Sequence, residues 1–137
     1  MAKNLTHESA TRDAIATAVR SDLHAGTGAN VNIKFYSETP SAQSTVVLDI
    51  DLGATPFGAA SSAAITYTGT ATGTKTSAGT ASVQSFAIFD KATTPVKVIK
   101  GTVGATTTNW DIGITGGTSI KQNEKISLTN FVYTASV

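Results

Sequence analysis

The stretch FAIFDKATTPVKVIKGTVG, Phe86–Gly104, decides the fold class. An alternating apolar run stops at Asp90, a Lys-Ala-Thr-Thr-Pro connection follows, and a second alternating run ends at Gly104. Two such runs joined by a short polar turn predict a β-hairpin. Phe86, Ile88, Val96 and Val98 are its expected core residues.

Strand signals continue on both sides. VNIKFY alternates Val31, Ile33 and Phe35 against Asn32, Lys34 and Tyr36. TVVLDIDL sets Val46, Leu48 and Ile50 on one face and Val47, Asp49 and Asp51 on the other. GATPFGAASS interrupts the pattern with Pro56 and Gly58 and reads as a loop. The Thr/Gly-rich run from Ala63 to Val83 fits an exposed hairpin tip, an edge strand or a loop. KISLTNFVYTASV closes the chain, and a bulge near Thr129–Asn130 would bring Leu128 and Phe131 to one side. Seven or eight short strands separated by turns predict an all-β fold, an antiparallel β-sandwich or jelly roll. No internal repeat suggests a solenoid or propeller.

One helix is expected, near the start. In THESATRDAIATAVRSDLHAG, Ile15, Val19 and Leu23 recur at i, i+4, i+8 with Ala18 beside them. Thr6 is the expected N-cap, Glu8 suits the first turn, and Gly26 or Gly28 suits the end. The stripe is narrow, so the helix lies on a sheet edge or on a neighbouring subunit. Residues 1–28 therefore read as an N-terminal arm and interface, with Leu5, Ile15, Val19 and Leu23 as its contact residues, and residues 29–137 as the sandwich domain.

Composition limits function. The 137 residues suit one domain, and with no cysteine there are no disulfides or thiolate metal sites. Net charge is +1 and only 14% of residues are charged, without the basic cluster of a nucleic-acid binder. No run approaches the roughly 20 apolar residues of a membrane span. The start carries no apolar signal segment, so synthesis and retention in the cytoplasm are expected. His7 and His24 have no metal-ligand spacing and read as exposed helix residues. Asp49 and Asp51 share a strand face, but calcium needs more oxygens and glycoside hydrolysis needs an aromatic cleft; they read as a solvated face. No G-x-S-x-G is present, and GTGAN and ITGGTS lack the lysine of a phosphate-binding loop. Trp110 beside Asp111 reads as a core residue rather than a sugar platform. No catalytic residue, metal or cofactor is expected.

Several segments together resemble a known group. These are Phe57–Ser61, Phe86–Asp90, Val98–Gly104, Asp111–Ile114 and Ile126–Thr134. With the opening helix and the VNIKFYSETP strand they resemble small virion proteins of tailed bacteriophages, over roughly Gly53 to Thr134. This chain has Ser-Glu-Thr at a turn where the group often has Gly or Asp. The resemblance implies a β-sandwich that decorates or cements a capsid. Its partners would be the major capsid protein and other copies of itself, as a trimer on symmetry grounds, with no nucleic acid or membrane. Its place would be the virion surface after synthesis in the host cytoplasm. A tail or fibre accessory, or a module binding glycans on the host surface, is the alternative.

Overall fold

The structure, a computed structural model, describes residues 8–106 and 111–135. One helix, α1 (Ser9–Leu23), precedes nine strands. These are β1 (Val31–Tyr36), β2 (Val46–Gly53), β3 (Ala64–Thr74), β4 (Thr80–Ser82), β5 (Ser85–Phe89), β6 (Lys97–Gly104), β7 (Ile112–Gly113), β8 (Ser119–Lys121) and β9 (Lys125–Thr134). The fold is all-β and sandwich-like, with a short N-terminal helix.

The lower layer is a five-stranded sheet in the order β2-β1-β5-β6-β7, antiparallel except for the short parallel β6–β7 pair. Its inward side chains line up across strands. Ile50, Ile33, Ile88 and Ile99 form one row, and Leu48, Phe35, Phe86 and Gly101 form the next. Such cross-strand rows fix register, because a one-residue slip would turn every apolar side chain to solvent. Each fully buried member contributes roughly 1.5–3 kcal/mol by leaving water. The upper layer has two strands, β3 and β9, paired antiparallel, and β4–β8 forms a small separate pair.

The hairpin inferred from the sequence is present, with Ile88 opposite Ile99 and Phe86 opposite Gly101. One of its expected core residues is not. Val96 is 58% exposed, because β6 begins only at Lys97 and Val96 belongs to the turn. Asp90 organises that turn: its carboxylate accepts from the Val96 N–H at 2.9 Å, and its own N–H donates to the Val96 carbonyl. On β2, Val46 is exposed and Val47 buried, the reverse of the expected alternation. A register shift between Phe35/Leu48 and Tyr36/Val46 leaves Val47 unpaired, and this bulge turns it inward.

Within the run from Ala63 to Val83, Ala64–Thr74 is a long strand paired with one other strand only among the described residues, the edge-strand alternative, rather than a tip or a loop. Its buried row is Ala63, Ile65, Tyr67 and Ala71, ending at a buried lysine, Lys75. The Lys75 ammonium donates to the carbonyls of Ser77 (2.6 Å), Gly79 (3.0 Å) and Ala78 (3.4 Å), which draws the β3–β4 turn around it. The break in alternation expected near Thr129–Asn130 is present, but the extra residue lies on the partner strand, where Thr68 and Gly69 stand against Asn130. The β3–β9 register shifts between Tyr67/Phe131 and Thr70/Thr129, and Asn130 adopts a φ of +55°. Below it Ile126 and Leu128 face the core, and above it Phe131 and Tyr133 do.

Helix α1 is part of this core. Its expected N-cap, Thr6, lies outside the described residues. Glu8 takes the cap position with extended backbone and makes no side-chain cap bond. The helix stops at Leu23, with His24 N–H bonded to the Arg20 carbonyl, before either glycine. Gly26 and Gly28 serve another purpose. A Cβ at either position would lie inside van der Waals contact of the Lys91–Ala92 backbone, so they let the α1–β1 link run against the β5–β6 turn.

Candidate functional site

The residues expected to form an interface on the helix are largely used inside the chain. Leu23 is fully buried in the core and so presents nothing to a partner. Ile15 and Val19 are half-buried and pack on that core, with Ala16 rather than Ala18 as their buried neighbour. Leu5 lies outside the described residues. Polar contacts reinforce the docking. The Ala63 N–H donates to the Asp13 carboxylate, and Arg20 Nε donates to the Phe57 carbonyl at 2.9 Å. His24 stacks on Phe57 with ring centroids 6.3 Å apart, and its Nε2 accepts from the Phe57 N–H at 3.4 Å. Burial first, then the nearby charges of Arg20 and Lys91, lowers the His24 pKa below its ordinary 6.5.

Phe57 was legible only as a loop residue between Pro56 and Gly58. It is the centre of an aromatic cluster, edge-on to Tyr67 and to Phe131, and Phe131 is edge-on to Phe86 in the lower sheet. The cluster joins helix, loop and both layers.

The residues weighed for chemistry fall apart in space or pair with neighbours. His7 lies outside the described residues. Asp49 and Asp51 sit on the outer face of β2. Asn32 Nδ2 donates to Asp49 at 3.0 Å, Asn30 Nδ2 donates to Asp51 at 2.7 Å, and Lys34 lies 3.7 Å from Asp49. On the same face Lys34 sits 5.1 Å above the Phe89 ring and Lys97 4.9 Å above the Tyr36 ring. No three His, Cys, Asp or Glu residues converge to hold a metal among the described residues. Trp110 lies outside the described residues, and Asp111 is engaged by Thr102, whose N–H and hydroxyl donate to Oδ2 at 2.7 and 2.8 Å. No helix among the described residues is long and apolar enough to cross a membrane.

What remains distinctive is one side of the sandwich. The upper layer has only two strands over a lower layer of five. Strand β9 is hydrogen-bonded to β3 on one edge, and its other edge pairs with no strand among the described residues. None of its ten residues is fully buried. Three cavities follow one another between this edge and β5–β7, sharing wall residues. The first, about 270 Å³, is lined by Phe86, Ile99, Lys100, Asp111 and Phe131–Thr134. The second, about 180 Å³, lies between Asp111–Gly113 and Leu128–Val132. The third, about 430 Å³, lies between Phe35, Ile112–Thr115 and Lys125–Thr129. Together they form a groove along the length of β9, and Val132 stands exposed on the strand above it.

An unpaired edge exposes backbone N–H and C=O groups that invite another strand, and proteins that avoid this place charges or prolines on it. Strand β9 has no proline and one charge, Lys125, at its first position. Its protective devices are that lysine and the register break at Asn130. The sequence signalled that break but not the open edge, because edge and centre strands alternate alike.

No family model matches this chain, and neither the curated proteins nor the solved structures contain a match to it.

Proposed function

We propose that this chain is a structural protein of a tailed-phage virion, a capsid decoration protein that binds the assembled head lattice. The observation that supports this reading is the open β9 edge beside its groove. A ten-residue edge strand with a single charge is a docking element rather than a reaction centre. The partner in this reading is the major capsid protein, with copies of the chain arranged about the local three-fold positions of the shell. Binding only to the assembled lattice stabilises that lattice by mass action, and many copies add avidity. The segments that resemble phage virion proteins include β9 itself, Ile126–Thr134.

Cosedimentation with phage heads lacking the protein tests the reading. Saturable binding to expanded heads, with gained resistance to heat or low salt, is the expected result. Pelleting with tails or host cells instead of heads would replace decoration with the tail-accessory or host-binding alternative.

A further inference from the structure

Helix α1 and its C-cap make three side-chain hydrogen bonds to the rest of the chain among the described residues, and all three end on one segment. Asp13 accepts from the Ala63 N–H, Arg20 Nε donates to the Phe57 carbonyl at 2.9 Å, and His24 Nε2 accepts from the Phe57 N–H at 3.4 Å. The β2–β3 connection is thus tied to the helix at two points. Phe57 is gripped on both sides of its backbone, by residues four apart on one helix face. It is 1% exposed, so its N–H has little access to water if the histidine lets go.

Histidine is the side chain whose charge changes near neutral pH. When neutral, its Nε2 accepts. When protonated, both ring nitrogens donate, and the Phe57 N–H then faces another N–H. The surroundings oppose that proton. Arg20 lies one turn back on the helix, and Lys91 acts on the ring from the β5–β6 turn, against which Gly26 and Gly28 let the α1–β1 link run. The two carboxylates of this region, Asp22 and Asp90, line a hollow from which His24 is absent, and Asp90 accepts from the Ala92 and Val96 N–H groups. The β2–β3 connection has no titratable side chain from Ala54 to Ala63. Strand β3 contributes Tyr67, edge-on to Phe57 and neutral in this range, and β9 contributes the Phe131 ring.

We infer that His24 is an acid-released latch: its neutral ring fastens the β2–β3 connection to the end of α1, and a proton on Nε2 frees that connection and the last helical turn as one unit. The sheets stay folded, because His24 makes no bond to the rows that join β2, β1, β5 and β6. Opening of this kind is local. A buried N–H left without its acceptor, beside an added like charge, raises the opening equilibrium about ten-fold. The latch is independent of the virion role, since it concerns how the chain opens and not what it binds.

The test is residue-resolved deuterium exchange on the full chain at about pH 7.5 and about pH 5, corrected for the pH dependence of intrinsic exchange. Protection at the Phe57 amide and in the last turn of α1 falls about ten-fold at the lower pH and does not respond to low urea, since local opening exposes little surface. The amides of β1 and β5 stay better protected and respond to urea. His24→Gln keeps an oxygen acceptor and cannot titrate, so its Phe57 amide has the same protection at both pH values. Equality with the parent at the higher pH shows that this variant is folded. Lys91→Met, outside the bond, lessens the fall and gives a second reading if the glutamine variant does not fold. No change at Phe57 in the parent, an equal fall in His24→Gln, or a urea-dependent fall shared by α1, β1 and β5 would each overturn the latch, the last because the whole chain would then be unfolding.

Discussion

Lys75 offers the sharpest test of how the upper layer is held. Its side chain is 1% exposed, and its ammonium donates to three consecutive carbonyls in the β3–β4 turn. Lys75→Met keeps most of the aliphatic stem and removes only the charge and its donors. Two of the three bonds are short, at 2.6 and 3.0 Å, and the third is long at 3.4 Å. Hydrogen bonds to charged groups contribute about 1.5–3 kcal/mol each when the partner left behind stays buried. Here Ser77, Ala78 and Gly79 are themselves exposed, so water recovers part of each bond. Desolvating the amine also costs free energy in the native state, which the methionine does not incur. The net loss is about 2–3 kcal/mol, which for a chain of this size lowers the melting temperature by roughly 6–12 °C. Thermal unfolding followed by circular dichroism, with urea unfolding alongside, measures it. A variant that melts within 2 °C of the parent would show that the ammonium is solvated in the folded protein and that the three-carbonyl arrangement does not hold the turn.

Gly101→Ala should destabilise the lower sheet, since the new Cβ would lie 2.7 Å from both the Phe86 ring and Asp111 Oδ2. Overpacking of this kind costs about 1–3 kcal/mol, readable as a lower urea midpoint at unchanged slope. Acid should weaken the fold in two steps. Because His24 has its pKa lowered in the folded chain, its contribution is complete above 6.5 and is lost as the pH falls below 6.5 toward the lowered folded-state value. The titrating ring faces Arg20 and Lys91, and His24→Gln should flatten the fall in melting temperature that begins below pH 6.5. Glu38 is held down to about 2 by hydrogen bonds from Thr45 and then Ser44. Its contribution is present above its ordinary 4.5 and is lost as the pH falls toward about 2, so Glu38→Gln should remove the lower limb only. A profile unchanged by either substitution would refute the assignment of that limb.

Local patterns in the sequence carried much of the fold. VNIKFY reads as a strand because its alternation is complete, and β1 occupies those six residues. The irregularity at Asn130 is legible because Leu128 and Phe131 break parity, and an apolar side chain left outside is costly; that the extra residue sits on β3 is not. Alternation misleads where geometry a residue or two away overrides it. Val96 looked like a strand residue but follows Pro95 in a turn that Asp90 closes. Val46 and Val47 exchanged faces through a bulge that no neighbouring residue announces. The helix stripe is apolar, as its spacing predicts. Its destination was not legible, because an apolar stripe is the same whether the surface it meets belongs to the chain or to a partner. The groove was least legible of all. Phe86 and Phe131 lie in separate sheets, and only the packing of one layer on the other brings them edge to edge. Phe57 shows the same limit, since a loop residue becomes a hub only through contacts distant in sequence.

The one-sided bonding of β9 has a consequence for amide exchange with solvent. In an antiparallel pair, successive residues point their N–H groups alternately toward the partner and away from it. Every second amide of β9 is therefore engaged by β3 and slow, while the intervening ones open onto the groove and are fast. The strand thus carries a period-two protection pattern, interrupted at Asn130. Any strand that settles beside it would erase the alternation and leave the other strands unchanged. Deuterium uptake resolved to single residues would then report occupancy of this edge, in a purified particle or a crude lysate, before the occupant itself had been identified.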